Sequence, residues 1–183
     1  MRAEVVERFQ FKFDELNNVK DLIIAAPSKE EAVGMFVDVL IDAYIEGFVG
    51  AGLLLGRPLG EMDEKAMKRA IEKEYQGETI YQRMAEHYNE QSADGVKTLL
   101  DSEFHRVYTQ AQFDRAKELG AKKKTWRGVM DDKERDTHRY LEGVTIDIDA
   151  DFITYDGDRA SAPGGFFKAQ NNANCRCILD FTA

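Results

Sequence analysis

A change of hydrophobic periodicity at Gly120 constrains the fold of this chain more than any other feature. Before Gly120, apolar residues recur every three or four positions, longest over residues 92–119, and this spacing places them on one face of a helix. After Gly120, runs such as residues 144–148 alternate apolar and polar residues, which is typical of half-buried strands. We therefore predict an α+β fold: an N-terminal helical block followed by a small C-terminal module of short strands and one short helix.

Capping signals set the boundaries of the predicted helices. Ser28 with Glu31 three residues later matches a capping box, so we expect a long helix from there to about Gly56. Asp63 is expected to cap a second helix over residues 64–75, closed by Gly77. The same reasoning predicts helices at residues 79–89 and 134–142, and strands at residues 125–129, 144–148, 152–155 and 175–180.

The most apolar stretch, residues 33–55, is interrupted by Asp38, Asp42 and Glu46. A membrane span would have to bury all three carboxylates, whereas their four-residue spacing forms one polar stripe on an amphipathic helix. We therefore predict no membrane contact. Residues 1–10 lack the apolar core of a signal peptide.

We divide the chain into residues 1–90, a helical region that binds a partner, and residues 91–183, the C-terminal module. The glycine-rich segment 47–60 contains Leu53 to Leu55, and an early helix end would expose these leucines as a patch for another protein. The alternating phenylalanines at positions 9, 11 and 13 fit either a short strand or an arm that becomes ordered on a partner.

The net charge of −9 counts against a surface that coats DNA as a whole, because such binding needs clustered Lys and Arg. Residues 122–139 nevertheless contain seven basic and four acidic residues, whereas residues 142–159 contain six acidic residues and one basic residue. We favour mutual neutralisation of the two segments over a DNA-binding patch. The candidate nucleic-acid-binding residues are Lys122, Lys123, Lys124 and Arg127.

Cys175 and Cys177 are separated by one residue, so on a strand they share a face, and we expect them to be reduced. Together with His138 and Asp131 they would make four zinc ligands. A single C-x-C motif lacks the second closely spaced pair of most structural zinc sites, and buried thiols beside Trp126 explain the same residues. We therefore predict no metal and no other cofactor.

Arg135 and His138 are three residues apart, which places them on one face of the predicted short helix. In a functional interpretation, His138 is a general base or metal ligand oriented by Asp131. In a structural interpretation, Arg135 and His138 hydrogen-bond to backbone carbonyls of the irregular segment 147–165. We favour the structural interpretation.

Two residues beside the cysteines also have structural interpretations. Asn174 suits a turn. Arg176 faces away from the cysteines on the predicted strand, and we expect it to pair with Asp147, Asp149 or Asp151.

The order of these residues resembles a known family, the phage Mu F-like head morphogenesis proteins, also called minor head or minor capsid proteins. The resemblance covers about half of the chain, residues 92–181, and includes Lys124-Thr125-Trp126, the Leu141-Glu142-Gly143 turn, Phe152 and the Pro163-Gly164 loop. We interpret nine residues as its structural motif: Trp126, Asp131, Arg135, His138, Gly143, Asn174, Cys175, Arg176 and Cys177.

The resemblance implies a structural protein of a tailed phage or prophage and no enzymatic activity. It would lie inside the virion head at the portal vertex, and in the host cytoplasm during assembly. Its implied partners are the portal protein, on whose ring it would form an oligomer, the major capsid protein and packaged DNA.

The alternative is a toxin-like or metal-dependent enzyme module that uses Asp131, His138, Cys175 and Cys177. Against this alternative, the sequence has no glycine-rich phosphate loop and no HExxH motif. His87 and His105 lie within amphipathic helical segments and need no catalytic explanation.

Overall fold

The computed structural model describes residues 15–57 and 60–182, so the phenylalanines at positions 9, 11 and 13 lie outside the described residues. The N-terminal half is helical: α1 (residues 15–24), α2 (Lys29–Leu54), α3 (Glu64–Ile71), α4 (Ile80–Asn89) and α5 (Ala93–Glu118). The C-terminal part contains β1 (Lys123–Arg127), α6 (Asp136–Arg139), β2 (Thr145–Asp147), β3 (Phe152–Ile153), β4 (Arg159–Ala160), a 3₁₀ turn (Ala169–Asn171) and β5 (Ile178–Thr182). The predicted α+β arrangement is confirmed.

The helices begin at the predicted caps. The Ser28 hydroxyl accepts the backbone N–H of Glu31 at 3.2 Å, and the Asp63 carboxylate accepts the N–H of Lys65 at 2.8 Å. Helix α3 ends at Ile71, four residues before the predicted end. Here the chain turns back on itself, because the backbone groups of Tyr75 hydrogen-bond to those of Glu78 instead of continuing the helix.

Helices α2 and α5 pack against each other and form most of the first hydrophobic core. The buried faces contribute Phe36, Leu40 and Tyr44 from α2, and Leu100 and Val107 from α5. The Asp38 and Asp42 side chains of α2 face solvent, as expected for an amphipathic helix. No helix among the described residues is long and apolar enough to cross a bilayer.

The C-terminal part folds around a three-stranded antiparallel sheet in the order β2-β1-β5. Trp126 of β1 pairs with Leu179 of β5, and both side chains lie in a second hydrophobic core. Helix α5 contributes to both cores, since Ala111 belongs to the first and Phe113 to the second. The two cores therefore meet within α5. Whether the chain divides functionally at residue 90 stays a prediction.

Strand β1 ends at Arg127, two residues before its predicted end. The next two backbone N–H groups leave the sheet, because Gly128 donates to the Glu142 carboxylate at 2.5 Å and Val129 donates to the Glu134 carboxylate at 3.0 Å. Helix α6 is correspondingly shorter than predicted and begins after Glu134. Residues 128 and 129, predicted to end the strand, and Glu134, predicted to begin the helix, therefore lie in the connection between β1 and α6.

Candidate functional site

Three of the predicted chemical side chains meet inside the second core. The Nδ1 atom of His138 lies 3.6 Å from the Cys175 sulfur and 3.3 Å from the Cys177 sulfur. These three potential ligand atoms all lie within 4.8 Å of one another. His138, Cys175 and Cys177 are 1%, 3% and 0% exposed, respectively, and both thiols are free.

Glu134 is a fourth member of this cluster that the sequence analysis missed. Its Oε1 atom lies 3.2 Å from the Cys177 sulfur and 3.8 Å from His138 Nδ1. Its other oxygen accepts the backbone N–H of Val129. The side chain is 4% exposed. In the sequence, the one sign of its role is that Glu134 lies four residues before His138, and this spacing is too common to single out Glu134 as a ligand.

Aromatic side chains enclose the cluster. The rings of Trp126 and His138 are 5.3 Å apart in an edge-to-face arrangement, and the ring of Phe166 lies 5.8 Å from His138. Burial raises the pKa of the Cys177 thiol, and the neighbouring Cys175 and Glu134 raise it further. Trp126, His138, Cys175 and Cys177, four of the proposed motif residues, are therefore parts of one buried arrangement.

His105, on α5, connects the helical block to this arrangement. Its ring is 1% exposed, and its Nε2 atom hydrogen-bonds to the backbone carbonyl of Cys177 at 2.8 Å. The amphipathic pattern around His105 predicts no role for it beyond helix packing. Its contact with the C-x-C segment depends on a sequence separation of 72 residues, which no local pattern reveals.

Asp131 does not join the cysteines but forms a surface pair with Arg176. The guanidinium donates two hydrogen bonds to the Asp131 carboxylate, at 2.8 and 2.7 Å. These bonds lower the pKa of Asp131 to about 2. The expected pairing of Arg176 with Asp147, Asp149 or Asp151 was wrong. Arg176 precedes β5, next to the Arg127 end of β1, whereas Asp147 pairs with Lys123 at the other end of β1.

The remaining motif residues shape the loops around the cluster. Arg135 donates a hydrogen bond to the backbone carbonyl of Ala173. The backbone N–H of Gly143 donates to the carbonyl of Trp126 at 3.0 Å. Asn174 adopts a left-handed conformation with φ +53°, which Asn tolerates better than most residues. The predicted bonds of Arg135 and His138 to carbonyls of segment 147–165 were wrong: Arg135 binds the carbonyl of Ala173, and the His138 ring contacts the two thiols and Glu134.

A second carboxylate missed by the sequence analysis organises the loop before the cysteines. Asp158 accepts the backbone N–H groups of Phe167 and Lys168 at 3.1 and 2.9 Å. It also accepts the side-chain amide of Asn171 at 2.9 Å. Asp158 is 6% exposed, and these bonds lower its pKa against the opposing effect of burial.

The four candidate nucleic-acid-binding residues occupy different environments. Lys124 is fully buried, and its ammonium donates to the carbonyl of Ser161 at 2.8 Å, so it cannot reach a phosphate in this conformation. Lys123 pairs with Asp147 at 3.2 Å, and Arg127 pairs with Asp180 at 2.6 Å. Lys122 is exposed. A DNA-binding role for Lys122, Lys123 and Arg127 stays a prediction.

Comparison with known proteins shows the family to which this chain belongs. A family model described as "Phage Mu protein F like protein" matches residues 64–180. The chain belongs to this family of phage head proteins. The match extends the resemblance predicted from the sequence to include α3 and α4.

Two curated relatives share part of the chain. Minor head protein GP7 of Bacillus phage SPP1 is 33% identical over 81 residues, which are 43% of this chain and 26% of that protein. NAD(+)--arginine ADP-ribosyltransferase EFV of Enterococcus faecalis (strain ATCC 700802 / V583) is 42% identical over 72 residues, which are 39% of this chain and 15% of that protein. The aligned segments thus represent about a quarter or less of these relatives. No solved structure matches the chain.

Proposed function

We propose that this protein is a minor head protein with a structural role in head assembly at the portal vertex of a phage or prophage. The observation that carries the proposal is the family match over residues 64–180, which runs from α3 into β5. The similarity to the minor head protein of phage SPP1 supports it. The protein would enter the head interior from the host cytoplasm, as one of several copies on the portal ring.

The burial of the candidate site supports a structural role over an enzymatic one. Each of Glu134, His138, Cys175 and Cys177 is at most 8% exposed, so a substrate has no direct approach to them. The similarity to an ADP-ribosyltransferase covers 15% of that enzyme. We therefore assign the shared segment to a head-protein module and not to transferase chemistry.

The end of α2 is our candidate for the surface that meets the portal protein. Leu53 and Leu54 are 66% and 45% exposed, whereas Leu55 packs against the second core. Exposure of two adjacent leucine side chains to water is unfavourable in free energy, and such apolar patches are typical of surfaces that bind another protein. The major capsid protein, at the inner face of the head, is the second partner consistent with the family.

Co-purification with the portal protein encoded in the same phage genome tests this assignment. The whole chain should retain the portal protein on an affinity column, and Leu53→Asp with Leu54→Asp should abolish retention. Leu22→Asp is the matched control, because Leu22 is 61% exposed but lies on α1. If the wild type and the double variant retain the portal protein equally, the end of α2 is not part of the interface. If the wild type, the double variant and Leu22→Asp all fail to retain it, the portal protein is not a partner.

Contact with packaged DNA is the lesser part of the proposal. Lys123 and Arg127 already have carboxylate partners, and exposed pairs of this kind contribute less than about 1 kcal/mol. We expect mutual neutralisation to prevail, so that Lys122, Lys123 and Arg127 changed together to Ala leave gel-shift behaviour unchanged. A salt-sensitive shift that disappears in this triple variant would instead establish β1 as a DNA contact.

A further inference from the structure

We propose that Glu134, His138, Cys175 and Cys177 bind one zinc ion as a closed structural site. The C-x-C motif alone predicts no metal, because the sequence offers no second closely spaced pair of cysteines. The fold supplies a second pair as Glu134 and His138, four residues apart, and brings it to Cys175 and Cys177 from a distant part of the chain.

Four of the distances between the donor atoms are close to those around a tetrahedral ion. With Zn–S near 2.3 Å and Zn–N or Zn–O near 2.0 Å, tetrahedral geometry places ligand atoms about 3.3–3.8 Å apart. His138 Nδ1 lies 3.6 and 3.3 Å from the two sulfurs. Glu134 Oε1 lies 3.2 Å from the Cys177 sulfur and 3.8 Å from His138 Nδ1. The three donor atoms within 4.8 Å of one another do not include Glu134, so its carboxylate has to turn toward Cys175 to complete the fourth position.

The donor set favours zinc over the hard cations. Two thiolates and an imidazole are the ligands that zinc prefers, whereas calcium and magnesium require oxygen ligands. The aromatic rings of Trp126 and Phe166 hold the imidazole in place and exclude water. Such surroundings suit a closed structural site and not a catalytic site with an open position.

The charge of Glu134 is the second observation that points to a cation. Its carboxylate is nine-tenths buried, with His138 at 3.8 Å and the Arg176 guanidinium near enough to interact with it electrostatically. A buried carboxylate is unfavourable unless positive charge lies close to it, and a cation in direct contact is the strongest such partner. A zinc ion would balance two of the three negative charges of this carboxylate and the two thiolates, whose protons leave as the metal binds.

Such an ion would reinforce two parts of the chain that the Arg176–Asp131 pair and the bond from Arg135 to the Ala173 carbonyl already join. Glu134 and His138 lie on the connection between β1 and β2, and the cysteines immediately precede β5. The metal would therefore fix the segment that precedes β5 onto the second core, next to the bond between His105 of α5 and the Cys177 carbonyl.

The test is the metal content of the full chain, purified without a metal-affinity tag or chelator. We expect about one equivalent of zinc per chain. Replacement by cobalt should produce the intense visible bands of a tetrahedral site and a thiolate charge-transfer band. Both measurements use the wild-type protein, so they do not depend on any variant folding. Less than about a tenth of an equivalent of zinc, with no cobalt–thiolate band, would overturn the proposal.

Two variants test whether the fourth ligand is Glu134, as the structure indicates, or Asp131, as the sequence suggested. Glu134→Gln should weaken zinc binding in a chelator competition by more than about tenfold, since loss of even an outer partner costs about 10–100-fold. Asp131→Asn should leave zinc affinity unchanged, because Asp131 pairs with Arg176 at the surface. The reverse result would show that the cluster binds metal differently from the proposed site.

Discussion

Lys124 is a basic residue that the sequence suggests for a surface contact with DNA, but it lies in the protein interior. Its ammonium is fully buried, donates to the Ser161 carbonyl at 2.8 Å and lies 4.3 Å from the centre of the Phe113 ring. Burial lowers the pKa of Lys124 from 10.5 to about 8. A residue in a basic run that resembles a DNA contact is instead part of the second core.

The lowered pKa of Lys124 makes the stability of the protein depend on pH in the alkaline range. Below pH 8 the folded state must bury the charged ammonium. Between about pH 8 and 10.5 the folded protein has lost this proton and the unfolded chain retains it, so stability rises with pH. From pH 7.5 to 9.5 we expect the free energy of unfolding to rise by about 1–2 kcal/mol relative to Lys124→Met.

Urea unfolding of both proteins at the two pH values measures this difference, and the variant corrects for all other titrating groups. If the difference in free energy of unfolding between wild type and Lys124→Met is the same at both pH values, the Lys124 ammonium is solvated in the folded state.

The Asp131–Arg176 pair predicts a pH dependence of the same sign at the acidic end, because the folding-induced fall in pKa again makes stability rise with pH. Because the pKa of Asp131 falls from 3.8 to about 2 on folding, its contribution is fully present above about pH 4 and disappears as pH falls through 2. Asp131→Asn should therefore lower the urea midpoint at pH 7, and the gap from wild type should close near pH 2. If the urea midpoints of wild type and Asp131→Asn differ by the same amount at both pH values, the loss of stability does not come from this ion pair.

The sequence was sufficient to single out Cys175, Cys177 and His138, because these residue types are rare in the chain and reactive. It did not identify Glu134, one acidic residue among 34. What distinguishes Glu134 is its orientation, which follows from the bond between its carboxylate and the Val129 N–H. Asp131 was chosen in its place from sequence order alone, and its partner Arg176, 45 residues away, keeps it at the surface.

At the scale of elements, the contact between α2 and α5 depends on Gly47. A Cβ atom at this position would lie 2.2 Å from the backbone carbonyl oxygen of Tyr108, so the two helices could not keep their present separation. Gly47→Ala should destabilise the protein by more than about 1 kcal/mol, as overpacking of a core does.

Gly34 provides the matched control on the same helix. A Cβ atom there meets nothing within 4 Å, so Gly34→Ala should stabilise α2 by about 0.5–1 kcal/mol through helix propensity. Thermal unfolding of the two variants compares them directly. Similar melting temperatures would show that α2 and α5 can separate without loss of stability.

The helices were more predictable than the strands, for a physical reason. Caps such as Ser28 and Asp63 act within three residues, so local sequence contains the signal. The end of β1 is set by the carboxylates of Glu134 and Glu142, which take the N–H groups of Val129 and Gly128. Such competition between side chains and the sheet depends on tertiary contacts, and alternation of residues alone does not reveal it.

At the scale of the whole molecule, α5 determines whether the chain behaves as one unit or two. Its buried residues extend from Val96 in the first core to Ala116 in the second, and His105 and Thr109 bond from it to carbonyls of the C-terminal part. A helix loses most of its stability when one packed face is lost. Damage to the first core should therefore be transmitted to the second.

Leu40→Ala tests this coupling. Leu40 of α2 is fully buried in the first core, and its truncation should cost about 2–5 kcal/mol. Trp126 is the single tryptophan of the chain and lies in the second core, so its fluorescence reports unfolding there, while far-UV circular dichroism reports mainly the helices. We expect the variant to shift both transitions to lower urea by the same amount. If the Trp126 transition stays at the wild-type midpoint while the helical signal moves, the C-terminal module folds independently, as the division of the chain at residue 90 supposes.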